Sequence, residues 1–150
     1  MGEVLSRPAA PPDDTVRYGT GSEQVASVWR PRRGAMAAAP VVMFLHGGFW
    51  RAAYNRTHVG PLAVALAEAG FLVCAPEYRR VGGGSGGGWP ATFDDIAAAV
   101  DGLPAVLAEL GGPGPGRRGR GCWAGTAGVR SLRPDRSLVG GVGVRARRVW

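Results

Sequence analysis

The chain has 150 residues, 45% hydrophobic and 19% charged, which is enough for one domain with a core, and its net charge is +7. All 18 basic residues are arginines: residues 1–116 carry 9 against 10 acids, and residues 117–150 carry 9 against Asp135 alone. The charge therefore excludes a uniformly basic nucleic-acid binder, two cysteines exclude a disulfide framework, and no apolar run is long enough for a signal peptide or a membrane span.

Residues 1–20, with Pro8, Pro11 and Pro12, read as a loose lead-in. "MGEVLS" fits the myristoylation pattern through Gly2 and Ser6, a pattern short enough to match often by chance. The default expectation is a cytoplasmic chain. Glu23 to Trp29, "EQVASVW", alternates polar and apolar and predicts a half-buried strand. Val41 to Leu45, "VVMFL", is continuously apolar, the pattern of a strand covered on both faces.

"PLAVALAEA", Pro61 to Ala69, predicts a helix stopped by Gly70, and "FLVCAP", Phe71 to Pro76, a second buried strand. The glycine-rich "EYRRVGGGSGGGWP" predicts a long loop. Ala91 to Leu110 predicts a helix with Thr92 as N-cap and Asp94 and Asp95 complementing its dipole. Phe93, Ile96, Val100, Leu103 and Leu107 follow helical spacing as its core face, and Pro104 is expected to kink or split it. Alternating strands and helices at this spacing predict an α/β domain over residues 21–112, a mostly parallel sheet with crossover helices. Residues 113–150 form a Gly/Arg-rich tail with no run of four apolar residues, expected to be disordered or irregular.

The most specific motif is His46-Gly47-Gly48-Phe49-Trp50, directly after a buried strand. Acyl transfer needs backbone N–H groups aimed at the carbonyl oxygen as it becomes anionic, and glycines let successive amides converge. The bland reading is a tight turn after a strand. "FLHGGFW", "AGFLVCAPEYRR" and "WPATFDDIAAAV" together resemble the α/β hydrolase superfamily, in particular its esterase, lipase and kynurenine-formamidase-like group with an HGGxW motif, over about Ser22 to Leu110. That resemblance implies a partial α/β-hydrolase fold and a serine-hydrolase activity on small carboxylic esters, or amides such as formamides, with no cofactor or metal. It implies oxyanion-hole amides at Gly48 and Phe49 with Gly47 shaping the turn, His46 bracing the loop, Trp50 packing it down, and a structural role for Tyr78.

The same resemblance requires a serine in G-x-S-x-G and a later histidine. Gly83-Gly84-Ser85-Gly86-Gly87 fits the letters but sits in a glycine run without the strand and helix that clamp such an elbow. His46 and His58 are the only histidines, and His58, before a helix, reads as a surface or helix-terminal residue. No nucleophile or base is identified, and the 150 residues are expected to lack triad activity. The elbow is due near residue 125, where Gly125-Thr126-Ala127-Gly128-Val129 equals a Gly-His-Ser-Gly-Gly peptide read one base out of step. After about residue 116 the chain is therefore expected to be truncated relative to the family or out of frame. An edge left open beside Val41–Leu45 would then be an aggregation hazard. Two further readings are a non-catalytic module binding carboxylates or other anions at the same loop, and phosphate binding by Arg117, Arg118, Arg120, Arg145, Arg147 and Arg148. The latter lacks the interleaved aromatics that nucleic-acid recognition uses.

Overall fold

A computed structural model describes residues 8–114 and, as backbone, residues 122–125 and 128–130. Six strands form one sheet: β1 (Asp14–Arg17), β2 (Val25–Trp29), β3 (Val41–Leu45), β4 (Leu72–Pro76), β5 (Cys122–Gly125) and β6 (Gly128–Arg130), in the order β1-β2-β4-β3-β5-β6. Helix α1 (Gly60–Glu68) joins β3 to β4, and α2 (Ala91–Glu109) follows the glycine loop. The two apolar runs became the parallel pair at the centre, with Val41 opposite Leu72 and Met43 opposite Cys74.

Strand alternation splits the core between two faces. On one, Val28, Met43, Leu72 and Cys74 meet Ala99, Leu103 and Leu107 of α2. On the other, Trp29, Val42, Phe44, Val73 and Ala75 meet Ala63 and Ala67 of α1. Both faces of the sheet are thus closed by helix. Cys74 lies in the first of these layers as a free thiol, and burial pushes its pKa up to about 12, so it stays protonated and inert at neutral pH.

Several expectations are corrected. The sheet is mixed rather than mostly parallel, because only β3–β4 and β3–β5 are parallel while β1–β2, β2–β4 and β5–β6 run antiparallel. The lead-in contains β1, whose polar sequence DTVR suits an edge strand with one face in water. Its Asp14 is gripped by Arg30 at 2.8 and 3.2 Å. β2 is buried on both faces from Ala26 to Trp29, since it lies between β1 and β4 under both helical layers. α2 runs through Pro104 without splitting; proline there removes one N–H donor but leaves the packing of Leu103 and Leu107 intact. Thr92 is not its N-cap, a place held by Pro90.

Two short stretches of the tail are described. Cys122–Gly125 pairs with β3 from Val42 to Leu45, and Gly128–Arg130 folds back on it. The edge of β3 expected to be open is therefore covered. Four residues with only three apolar ones carry almost no periodic signal, yet their backbone N–H and C=O groups suffice to pair an otherwise unpaired edge. The remainder of the tail, with its arginine cluster, lies outside the described residues.

Candidate functional site

The site grows from the end of β3. His46 to Trp50 leaves the sheet in a turn with three successive positive φ angles: 114° at Gly48, 52° at Phe49 and 59° at Trp50. The turn closes through Arg51 N–H to the Gly48 carbonyl at 3.0 Å. Left-handed backbone is open to glycine but costs roughly 1–2 kcal/mol at Phe49 and at Trp50, so the rest of the structure has to hold it. Successive amides in such a turn form a concavity suited to an anion. Among the described residues, the N–H groups of Gly47, Gly48, Phe49 and Trp50 donate to no protein acceptor.

What holds the turn is a buried polar cluster that begins at Glu77, the residue after β4. Its side chain is 3% exposed, and so is that of His46. His46 Nε2 donates to Glu77 Oε1 at 2.7 Å, because an ionised carboxylate only accepts, and Nδ1 lies 3.1 Å from the Gly47 carbonyl and 3.3 Å from the Tyr78 hydroxyl. Glu77 Oε2 accepts from the Arg56 amide at 3.1 Å and lies 3.6 Å from the Arg56 guanidinium. The Tyr78 ring stacks on His46 with centroids 4.2 Å apart and planes 4° from parallel, and its hydroxyl donates to the His46 carbonyl. Burial first, and then the charge of Glu77, pushes the Tyr78 hydroxyl up to about 12, so it remains a donor.

Burial alone would raise the Glu77 carboxyl. The His46 hydrogen bond, the Arg56 amide and the nearby Arg80 charge outweigh it, and the group lies below its ordinary 4.5. Arg80 Nε sits 3.5 Å from Glu77 Oε1, close enough for an ion pair yet without hydrogen-bond geometry. The rest of the Arg80 guanidinium donates to the carbonyls of Tyr54 at 2.7 Å and Ala52 at 3.3 Å, and to Glu23 at 2.9 Å. The segment that follows the turn is thereby tied to the same cluster.

His46, expected to brace the loop, and Tyr78, expected to have a structural role, both lie in this cluster, and the sequence reading missed Glu77. An acid directly after a continuously buried strand was the available signal, since an unpaired carboxylate would not survive there. Trp50 does not pack into the core: it is 46% exposed, with Phe93 edge-on at 5.2 Å. The turn is instead pinned by backbone, through Val81 N–H to the Trp50 carbonyl at 2.6 Å and Ala52 N–H to the Val81 carbonyl at 3.0 Å.

Ser85 serves this glycine loop. Its hydroxyl donates to the Arg80 carbonyl at 2.8 Å and accepts the Arg80 N–H at 2.9 Å, and it makes no hydrogen bond to either histidine. His58 closes a capping box with Asn55 at the start of the 3-10 turn Arg56–Val59. The Asn55 side chain accepts the Thr57 N–H at 3.0 Å there. Asn55→Ala is expected to lower stability by about 1 kcal/mol, measured by urea denaturation, because it strips one end of that cap.

A second anchor sits beneath the loop. Asp95, wholly buried on α2, receives Arg79 through its amide at 2.8 Å and twice through its guanidinium at 2.9 Å, and Gln24 at 2.9 Å. Thr92 donates to the Arg79 carbonyl and accepts from Gly88 N–H at 2.9 Å. These two polar residues take the inward face of the first turn of α2, and Phe93, expected in the core, is turned to solvent at 39% exposure. Burial works against the Asp95 carboxylate, but Arg79 and Gln24 hold it below its ordinary range. Among the described residues no three His, Cys, Asp or Glu side chains converge as a metal site requires.

No family model matches the sequence. Over 102 residues, 67% of this chain, it is 30% identical to the Mycobacterium tuberculosis protein named "Probable carboxylic ester hydrolase LipM", of which it spans 23%. The hyperthermophilic esterase of Pyrobaculum calidifontis superposes on 83% of the chain with a TM-score of 0.59 at 23% identity, the match covering 37% of that esterase. Esterase 2 of Thermogutta terrifontis superposes on 70% with a TM-score of 0.57 at 21% identity, covering 40% of its own chain. The chain thus spans about a quarter of the curated relative and about two fifths of these esterases. Its fold is part of the α/β-hydrolase fold of those esterases. No described helix is long and apolar enough to cross a membrane.

Proposed function

We propose that this chain carries the oxyanion-stabilising half of a hydrolase for small carboxylic esters, with amides such as formamides as the second substrate class. The observation that carries this reading is the turn at Gly48, Phe49 and Trp50, whose amides, with that of Gly47, have no protein acceptor among the described residues. When a nucleophile adds to an ester carbonyl, the oxygen becomes anionic, and donors already aimed at it lower the barrier without reorganising. The name of the curated relative and the names of the esterases that share the fold support the substrate class.

Nucleophile and base are a separate matter. Ser85 is engaged in its own loop, His46 is locked against Glu77, and His58 belongs to a cap. The 150 residues on their own are therefore expected to hydrolyse p-nitrophenyl acetate no faster than buffer does, and Ser85→Ala to change nothing. Turnover abolished by Ser85→Ala would reverse the assignment of that serine. A second reading, binding of carboxylates without turnover, is favoured by the same open amides.

The stretch after about residue 116 belongs to the same proposal as an out-of-frame counterpart of the elbow. β5 ends at Gly125, opposite Leu45 and so level with the start of the oxyanion turn, and the sequence continues Thr126-Ala127-Gly128-Val129. The coding DNA tests it: a shifted frame past codon 121 should encode a serine elbow, further strands and a late histidine. If no frame does, the idea fails.

A further inference from the structure

Resting on the oxyanion reading of residues 47–49, we propose that the aromatic strip beside that turn is a subsite for the flat aromatic group of a carboxylic acid or ester, placing aryl or arylalkyl esters among the substrates. The strip is made of Trp50, Phe93 and Trp89. Phe93 stands edge-on to Trp50 with centroids 5.2 Å apart and edge-on to Trp89 at 5.1 Å. Trp50 is 46% and Trp89 82% exposed, and Phe49, at the apex of the turn, is 90% exposed. Four large aromatics in water within one short region need a reason, because each would gain by burial.

The reason is not a frayed core. Thr92 and Asp95 are wholly buried and fix the first turn of α2 through Arg79, which leaves Phe93 no inward rotation. The Trp50 backbone is fixed too, since its carbonyl and that of Val81 cross-link the turn to the glycine loop. The rings are held outward by buried polar anchors and lean on one another. The strip also starts where the turn's amides are: Trp50 contributes its ring to the strip and its N–H to the run of donors that have no protein acceptor among the described residues. A ligand with a carboxyl group on the amides thus starts beside Trp50, the ring that leads on to Phe93 and Trp89. Edge-to-face rings leave π faces for a further aromatic group, and an aromatic contact of that kind is worth about tenfold in affinity.

The test is a titration of the 150-residue chain, followed by backbone amide and indole N–H shifts in NMR, with phenylacetate, acetate and benzyl alcohol. Phenylacetate is expected to move the Gly48 and Phe49 amides together with the Trp50 and Trp89 indoles, with one Kd about tenfold below that of acetate. Acetate should move the amides alone. The double variant Trp89→Ala/Phe93→Ala should remove the tenfold gain and leave the acetate response intact. Phenylacetate binding no tighter than acetate overturns the subsite and leaves the oxyanion reading standing. Benzyl alcohol binding the indoles as tightly as phenylacetate also overturns it, because the strip would then act without the amides. If neither carboxylate moves the amides of residues 47–49, the oxyanion reading fails and the subsite with it.

Discussion

Glu77→Ala is expected to lower the stability of the domain by about 3–5 kcal/mol, the usual penalty for removing one partner of a buried ion pair. The carboxylate joins elements distant in sequence: His46 from the end of β3, the Arg56 amide from the turn before α1, and Arg80 from the start of the glycine loop. Its removal leaves the His46 N–H buried with nothing to receive it and takes the opposite charge away from Arg80, whose Nε already lacks a hydrogen-bond acceptor. Glu77→Gln keeps the shape and one acceptor but loses the charge, so it should fall between alanine and the parent. Guanidinium denaturation at pH 7 orders the three. An alanine variant within 1 kcal/mol of the parent would mean that the cluster does not hold the turn.

The same residue sets a pH dependence whose sign can be worked out. The folded-state pKa of Glu77 lies below its ordinary 4.5, so the unfolded chain binds the proton more readily. The stabilisation is complete above the unfolded value and is lost as the pH falls through the folded one. Asp95 behaves alike through Arg79 and Gln24. Stability should therefore be flat from pH 7 down to about 5 and fall below that. In Glu77→Gln the acid limb should be shallower, with the part due to Asp95 remaining.

The central layer of this fold was legible in the sequence because its signals are local. Val41–Leu45 and Leu72–Pro76 are continuous apolar runs, and Pro61 and Gly70 bracket the first helix, so strand and helix fall within a residue of expectation. What stayed hidden depends on partners. β1 and β5 are strands because an edge beside them needs pairing, which hydrophobic periodicity does not record. The face of α2 was misassigned at Phe93 for a related reason. Periodicity ranks an aromatic above a threonine or an aspartate for the core, whereas here Thr92 and Asp95 are drawn inward by Arg79. At the site, the glycines announced a turn and its place after β3, but the carboxylate that fixes it follows a different strand.

Gly48→Ala is the sharpest probe of the turn itself. At φ 114° an L side chain is strained whatever the space around it, and a Cβ here would also stand 2.5 Å from both the Cβ and the ring of Tyr54. The backbone term costs roughly 1–2 kcal/mol and the overlap about 1–3 kcal/mol, so a loss of about 3 kcal/mol is expected by denaturant melting. The two terms separate in a double variant. Tyr54→Gly removes the Cβ as well as the ring and so makes room for the methyl group, and Gly48→Ala in that background should recover the overlap term alone, leaving the dihedral cost. The recovery distinguishes this turn from one in which Gly48 merely sits at an open surface, where Tyr54 would have no influence. A Gly48→Ala chain as stable as the parent would require a different backbone at residues 48–50, and with it a different direction for the amides that follow. Function should respond more steeply than stability. The left-handed path at Phe49 and Trp50 starts from the conformation at Gly48, so in folded Gly48→Ala protein the acetate-induced shifts at Gly47 and Phe49 should vanish. In Tyr54→Gly alone, where the turn keeps Gly48, they should persist.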